Sequence, residues 1–416
     1  MKIKIDSFNI FYTFFEYIIT LILIIDCRSM WVASSLETTL PNKLILILCC
    51  SIVINILLRK RISKNIINSF LIIVCLISYI LIYMLITHAI SGTLVRFTIA
   101  ISFFLLYFYS NPLKNSVSLL LRFDNLMIII GGISIFLWLL LDVLHVIPFS
   151  GSVVSVWTGE PMNVPDFHSI FYAPQYANFM GLRLLRNTSI FVEAPMYSLL
   201  LSFALMIELL IKNTTVNKIR VAILVIAIFT TFSFTGYALV LIILLYIYLK
   251  NNKNDSIAKA FRVVGVPILL VIVALLIKNM FNSKANDGSG HARLDDFVVG
   301  FNVWKSAPIF GVGVDNDNAI KSSMGAWRSF NTGLSNSITQ LLAQGGLYLT
   351  LVYFVPFIKG ICISIKNKNK NEMLFILLTL YLFIFTLFTY QLILALLLVY
   401  IFTISYSKIG EKNAKI

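Results

Sequence analysis

The feature that most constrains this chain is a succession of unbroken apolar runs, each about as long as a membrane is thick. A hydrocarbon core of about 30 Å takes about 20 apolar helical residues. On that measure spans lie near residues 8–25, 44–58, 66–87, 90–109, 126–147, 191–211, 263–281 and 339–358. Backbone polar groups in lipid must bond within their own segment, so runs of this length are helices. Composition agrees: 59% of the 416 residues are drawn from AVILMFWYC and only 12% are charged, against about 45–50% and about 25% in soluble domains. A soluble enzyme, a disordered chain and a secreted disulfide scaffold are excluded, leaving an all-α polytopic membrane protein. The five cysteines fall mostly in the apolar runs without metal-ligand spacing and are expected to be small buried hydrophobes. The lysines at the N-terminus precede a first membrane helix rather than a cleaved signal.

Two runs are too long for one span. Val221–Leu249 is 29 residues, about 44 Å of helix, with Ser233-Phe234-Thr235-Gly236 in its middle. Leu374–Tyr406 carries Thr389-Tyr390-Gln391 midway. Charge decides how they are read. Splitting both gives about twelve spans with the termini on one side, and 22 of the 33 basic residues then fall in short loops on that side. The opposite loops hold 11 basic and 11 acidic residues. By the positive-inside rule the basic side is cytoplasmic, and an unsplit Val221–Leu249 would export the Lys250–Arg262 cluster. The formal charge of +15 therefore orients the protein and does not call for nucleic acid.

The expected organisation is an N-terminal bundle of about five spans (1–147), a first long extracytoplasmic loop (148–190), central spans (191–281), a second long loop (282–338) and C-terminal spans (339–416). Short helices are expected within the two long loops. Loops kept long where every other connection is short are the working parts, so function faces outward. No HExxH, paired CxxC, GxSxG, Walker loop or GxGxxG occurs, so neither a metal nor any other cofactor is expected.

The first loop ends in Arg183-Leu-Leu-Arg186-Asn-Thr-Ser-Ile-Phe-Val-Glu193-Ala-Pro195, directly before a span. If that segment is helical, Arg183 and Arg186 share a face. A carboxylate such as Glu193 at the mouth of a span faces a cavity or a cation. The second loop carries His291, Arg293, Asp295 and Asp296. Phe297, Phe301 and Trp304 follow at the spacing of a helix lying flat on the membrane, then Pro308-Ile-Phe-Gly311-Val-Gly313, Arg328 and Asn336. Guanidinium groups offer a planar fork suited to phosphate oxygens. Two arginine sites at one membrane depth, from loops about a hundred residues apart, suggest a grip on an anionic lipid head group.

The ordered set R-x4-F-x-E-A-P (186–195), S-F-T-G (233–236), H-A-R-x-D (291–295), W-x3-P-I-F-G-V-G (304–313), S-N-S (335–337) and L-x2-G-G-L (342–347) resembles the Wzy-type polysaccharide repeat-unit polymerases and the related O-antigen ligases. It is close from about Arg183 to Val355 and elsewhere rests only on the number and spacing of spans. The resemblance implies a metal-independent glycosyltransferase of GT-C type in a bacterial cytoplasmic membrane, both termini cytoplasmic, acting on undecaprenyl-pyrophosphate-linked oligosaccharide. A flippase and a chain-length regulator are implied partners beside the lipid bilayer. Arg186 and Arg293 would hold the pyrophosphate. Glu193, or else Asp295, Asp296 or His291, would take the acceptor's proton. Arg183, Arg96, Arg328 and Asn336 would make further substrate contacts. The ligases carry a histidine just before the final outer-loop asparagine, where this chain has Ser335, which favours polymerase over ligase. A polysaccharide or lipid transporter is the remaining alternative, with Glu16 and Glu208 inside spans, although the two halves show no internal repeat.

Overall fold

The computed structural model describes residues 7–33, 39–59, 63, 65–88, 90–110, 117–155, 161–179, 182–212, 216–251, 288–325, 327–328 and 333–413. The expected span at 263–281 and the Lys253–Arg262 cluster lie outside these residues.

Long helices form where the apolar runs are. They are α1 (Ser7–Asp26), α3 (Leu40–Leu57), α4 (Ile66–Thr87), α5 (Gly92–Ser110), α6 (Ser118–Val143) and α7 (Ala194–Ile211), with a short α2 (Met30–Ala33) after the first. Both overlong runs are divided. The first becomes α8 (Lys218–Thr230) and α9 (Phe234–Asn251), with Phe232 left-handed at φ 51° in the turn between them. The second becomes α13 (Lys370–Phe385) and α14 (Leu392–Asn413). Between these pairs, the second long loop contains α10 (Gly288–Ser306) and α11 (Asp317–Lys321), followed by α12 (Ser337–Lys366). Among the described residues six helices are long and apolar enough to cross a membrane by length and composition, and the apolar stretches Phe234–Lys250 and Leu392–Ile404 are shorter.

Two helices form the centre. Every residue of Ala194–Met206 except Pro195 is buried, as is all of Leu392–Ile401. Neither segment shows an apolar stripe with a polar back, because a helix surrounded by helices is apolar all round. In contrast α4 leaves Ile67, Phe70, Leu71, Val74 and Leu85 exposed, which only lipid covers at no cost. At the end away from the long loops, buried charges are paired. Arg220 reaches Asp124 at 2.5 Å and Glu208 at 2.9 Å, Lys212 meets Glu208 at 2.9 Å, and Arg122 meets Glu16 at 3.2 Å. A lone carboxylate at these depths would be costly, so Glu16 and Glu208 sit in these pairs.

The first long loop differs from expectation: it is built from strands, not short helices. Strands β1 (Gly151–Ser155), β2 (Met162–Phe167) and β3 (Phe171–Tyr172) form an antiparallel sheet, with Val153 opposite Val164. Strands β4 (Tyr176–Phe179) and β5 (Leu182–Leu185) form a separate hairpin. Along β2 only Val164 and Asp166 are buried, the alternation expected of a sheet with one covered face. Val164 and Tyr172 pack there with Met30 and Val192, so the sheet rests on the turn that follows α1.

The second notable departure is inside α12, which is broken at Gly346 (φ 57°, ψ −163°). The helix opens, and the segment after α10 supplies the missing bonds. The Ala343 and Gln344 carbonyls, which would have bonded residues 347 and 348, accept from Val312 (2.9 Å) and Gly313 (3.0 Å). The Leu347 and Tyr348 N–H groups donate instead to the Pro308 and Ile309 carbonyls, each at 2.9 Å. Every group freed by the break is thereby satisfied, as burial demands. The Trp304 indole donates to the Pro308 carbonyl at 3.0 Å and fixes the start of this splice. The sequence W-x3-P-x2-G-x-G is thus an architectural device, tying the second loop to the outer half of a broken helix.

Candidate active site

The segment from Arg186 to Glu193 runs down into the protein from β5 before turning into α7. Asn187, Thr188 and Phe191 are fully buried. The Asn187 amide donates to Ser134 (3.2 Å) and to Thr230 (3.0 Å), its backbone N–H donates to the Thr230 carbonyl (2.9 Å), and Thr188 donates to the Tyr172 carbonyl (2.8 Å). Ser134 in turn shares a 2.6 Å hydrogen bond with Tyr197 on α7. This network fixes Arg186 and Glu193 relative to α6, α7 and α8.

Arg186 emerges beside the α8–α9 turn. Its Nε donates to the Thr231 carbonyl at 3.0 Å and an Nη to the Phe232 carbonyl at 3.3 Å. The S-F-T-G stretch therefore follows a carbonyl cradle for this guanidinium. Gly236 lets α9 approach α7, since a Cβ there would stand 2.2 Å from Ser198 Oγ. Two carbonyls use two of the guanidinium's five donors, which leaves a planar edge available to an anion.

Arg293 comes from the other loop, exposed on α10. The helix begins at Gly288, upstream of Arg293, so Asp295 and Asp296 are not first-turn caps. Burial, and then the Arg293 charge, push the Arg186 guanidinium down to about 10, while Glu193 acts in the opposite sense, so Arg293 lies within electrostatic reach of Arg186. Like charges within reach of one another repel, a tension that an anion between them would relieve.

Glu193 is the extended residue capping the N-terminus of α7, but its side chain makes no cap bond. It pairs with Arg28 at 3.0 Å, the side chains being 21% and 12% exposed, so the pair is reachable from outside but mostly withdrawn from water. Arg28 was not singled out in the sequence. It follows the first apolar run as any flanking cation would, and only the fold brings it to Glu193.

The other sequence candidates are placed as follows. Arg183, on β5, lies over the Tyr176 ring at 4.5 Å. Because the segment is a strand and not a helix, its side chain and that of Arg186 have different neighbours. Arg96 on α5 contacts Asn42 at 3.4 Å and acts electrostatically on Asp26. His291 lies in α10 one half-turn before Arg293. Arg328 is buried, with Nη1 2.5 Å from Asp296, 3.3 Å from Asp295 and 3.3 Å from the Ala292 carbonyl. Asp296 also accepts from the Ser335 N–H at 2.9 Å. Arg328 and Asp296 thus fasten the end of the second loop to α10. Asn336 caps α12 through Thr339, its Oδ1 accepting from the backbone N–H at 3.0 Å, and its buried Nδ2 has no partner among the described residues. Among those residues no group of three or more His, Cys, Asp or Glu side chains is placed to hold a metal ion.

The buried pair makes a testable distinction. Asp296→Ala strands a buried cation and should cost about 3–5 kcal/mol, whereas Asp295→Ala, at a longer and more exposed contact, should cost under about 1 kcal/mol. Thermal unfolding of the two purified variants reads the difference, and equal losses would refute this division of labour.

Residues 219–354 match the family described as O-antigen ligase, Wzy_C. Over that third of its length the chain is similar to the O-antigen ligase family. The matched segment contains the Arg186 cradle, Arg293, the spliced helix break and Asn336, while Arg28, Arg186 and Glu193 lie upstream of it. No curated protein and no solved structure matches the chain. The similarity is in keeping with helices long and apolar enough to cross a membrane.

Proposed function

We propose that the protein is a polymerase that joins undecaprenyl-pyrophosphate-linked repeat units on the outer face of the bacterial cytoplasmic membrane. The observation that carries this reading is Arg186, held on the Thr231 and Phe232 carbonyls with donors to spare and within electrostatic reach of Arg293 from the second loop, on the segment that brings Glu193 to the mouth of α7. The donor's diphosphate bridges the two guanidinium groups. Preorganised cations in a partly dry site stabilise the charge that grows on a departing pyrophosphate. The acceptor hydroxyl oxygen forms the new bond to the donor's anomeric carbon as the bond from that carbon to the pyrophosphate oxygen breaks. The hydroxyl proton passes to the Glu193 carboxylate, and undecaprenyl pyrophosphate leaves with the electron pair.

Ser335, in the place where ligases carry histidine, favours polymerase within the superfamily. The family's own description, O-antigen ligase, supports the second reading, transfer of finished chain to a different acceptor. Purified protein supplied with lipid-pyrophosphate repeat units and no nucleotide separates the readings. A ladder of products is expected; transfer only to a different acceptor means ligase, and no new glycosidic bond overturns both. Glu193→Gln should lower turnover about 10²–10⁴-fold, the range for a positioned general base. Undiminished turnover in that variant would move the base elsewhere.

A further inference from the structure

The residue that the superfamily reading leaves unused is Arg28. Its backbone is left-handed at φ 56°, a conformation that is unfavourable for an L-residue with a Cβ and marks a position fixed by its surroundings. Two further left-handed residues other than glycine, Ser189 (φ 50°) and Phe232 (φ 51°), lie in the segments that carry Glu193 and cradle Arg186. Three of the nine such residues among those described thus lie in the segments around Arg28, Glu193 and Arg186.

The Arg28 turn is stitched to the segment leading into Glu193. Met30 N–H donates to the Ile190 carbonyl at 2.7 Å, Val192 N–H donates to the Arg28 carbonyl at 3.2 Å, and Ser29 forms an antiparallel bridge with Phe191. The stitching holds the Arg28 guanidinium on the Glu193 carboxylate at 3.0 Å. The nearby Asp26 is half-buried and accepts from the Leu392 N–H at 2.9 Å, with Arg96 acting on it electrostatically. Glu193 is therefore shared between Arg28, in contact, and Arg186, at longer range. Three cations and one carboxylate leave a surplus suited to a diphosphate.

We propose that Arg28 is a third phosphate-binding cation, parked on Glu193 while the site is empty and transferred to the diphosphate when a donor lipid binds. Donor binding would then release the Glu193 carboxylate for the acceptor hydroxyl. The physical basis is competition: a diphosphate presents two singly charged oxygen pairs against the single charge of a carboxylate, and each pair matches the guanidinium fork. The inference rests on the pyrophosphate reading above.

The two partners of a structural ion pair should weaken ligand binding when either is removed. A parked cation predicts opposite signs. The probe is farnesyl pyrophosphate, titrated into the full-length protein in nanodiscs without acceptor, so that only binding is read. Arg28→Gly, which keeps the left-handed backbone, should weaken binding about tenfold or more, as expected for loss of a charge-assisted hydrogen bond. Arg28→Lys should recover part of that loss. Glu193→Gln should tighten binding several-fold, because the competing anion is gone. If Glu193→Gln weakens binding, or Arg28→Gly leaves it unchanged, the parked-cation proposal is overturned; should Arg28→Gly fail to fold, the sign for Glu193→Gln still decides. Arg186→Ala separates the two readings: if it also leaves binding unchanged, the pyrophosphate reading itself falls.

Discussion

Arg293→Ala should abolish long-chain polymer while leaving the protein inserted and folded. Arg293 is exposed on α10, so its removal leaves no buried group unpaired, and the loss should be almost purely one of transition-state charge stabilisation. Removing one such donor costs about 10²–10³ in kcat. Arg186→Ala should cost at least as much and also loosen the α8–α9 turn, since Nε and Nη2 bond the Thr231 and Phe232 carbonyls. Arg186→Lys keeps the charge but lacks the fork that spans both carbonyls and a phosphate, so it should recover little. Polymer length on gels, scored against membrane-inserted protein, checks all three variants; wild-type polymer in both alanine variants would sink the assignment.

Gly346→Ala should unfold the outer half of the protein. A Cβ at this position would lie 2.4 Å from the Ile309 carbonyl oxygen and 2.6 Å from the Gly311 N, on a backbone already at φ 57°. Backbone cannot retreat as a side-chain tip can, and the four hydrogen bonds of the splice depend on that approach. A cost of about 3 kcal/mol or more is expected, combining backbone strain with lost buried hydrogen bonds. Gly132→Ala in α6 is the control: its Cβ would meet nothing within 4 Å, and alanine in a helix interior gains about 0.5–1 kcal/mol. Thermal unfolding in detergent reads both; a Gly346→Ala protein as stable as the wild type would mean that the helix break carries no structural weight.

The helices were legible because lipid imposes one solution on a long apolar run. Even the division of the two overlong runs could be read, since charge on the flanking loops has a preferred side. The first long loop was not legible in the same way. In a chain this apolar, the alternation at 162–167 is too short to stand out, and the strands are stabilised by packing on Met30 and Val192, residues distant in sequence. The motif glycines were visible as a pattern, but the task of Gly311 and Gly346 was not, because it is a meeting of two backbones.

The candidate site divides in the same way. Arg186, Glu193 and Arg293 were identifiable as residue types that handle phosphate and protons at a membrane boundary. Arg28 carried no such signal, and Arg328 had the same credentials as Arg293 yet is buried on Asp296. The sequence by itself determined that the chain is built from apolar helices of membrane-spanning length, where the overlong runs divide, and which residue types stand ready at the helix ends. Only the tertiary structure decided which charged groups meet. That choice depends on long-range contacts such as the 3.0 Å pair between Arg28 and Glu193, and spacing along a chain carries no record of a contact made by folding back across it.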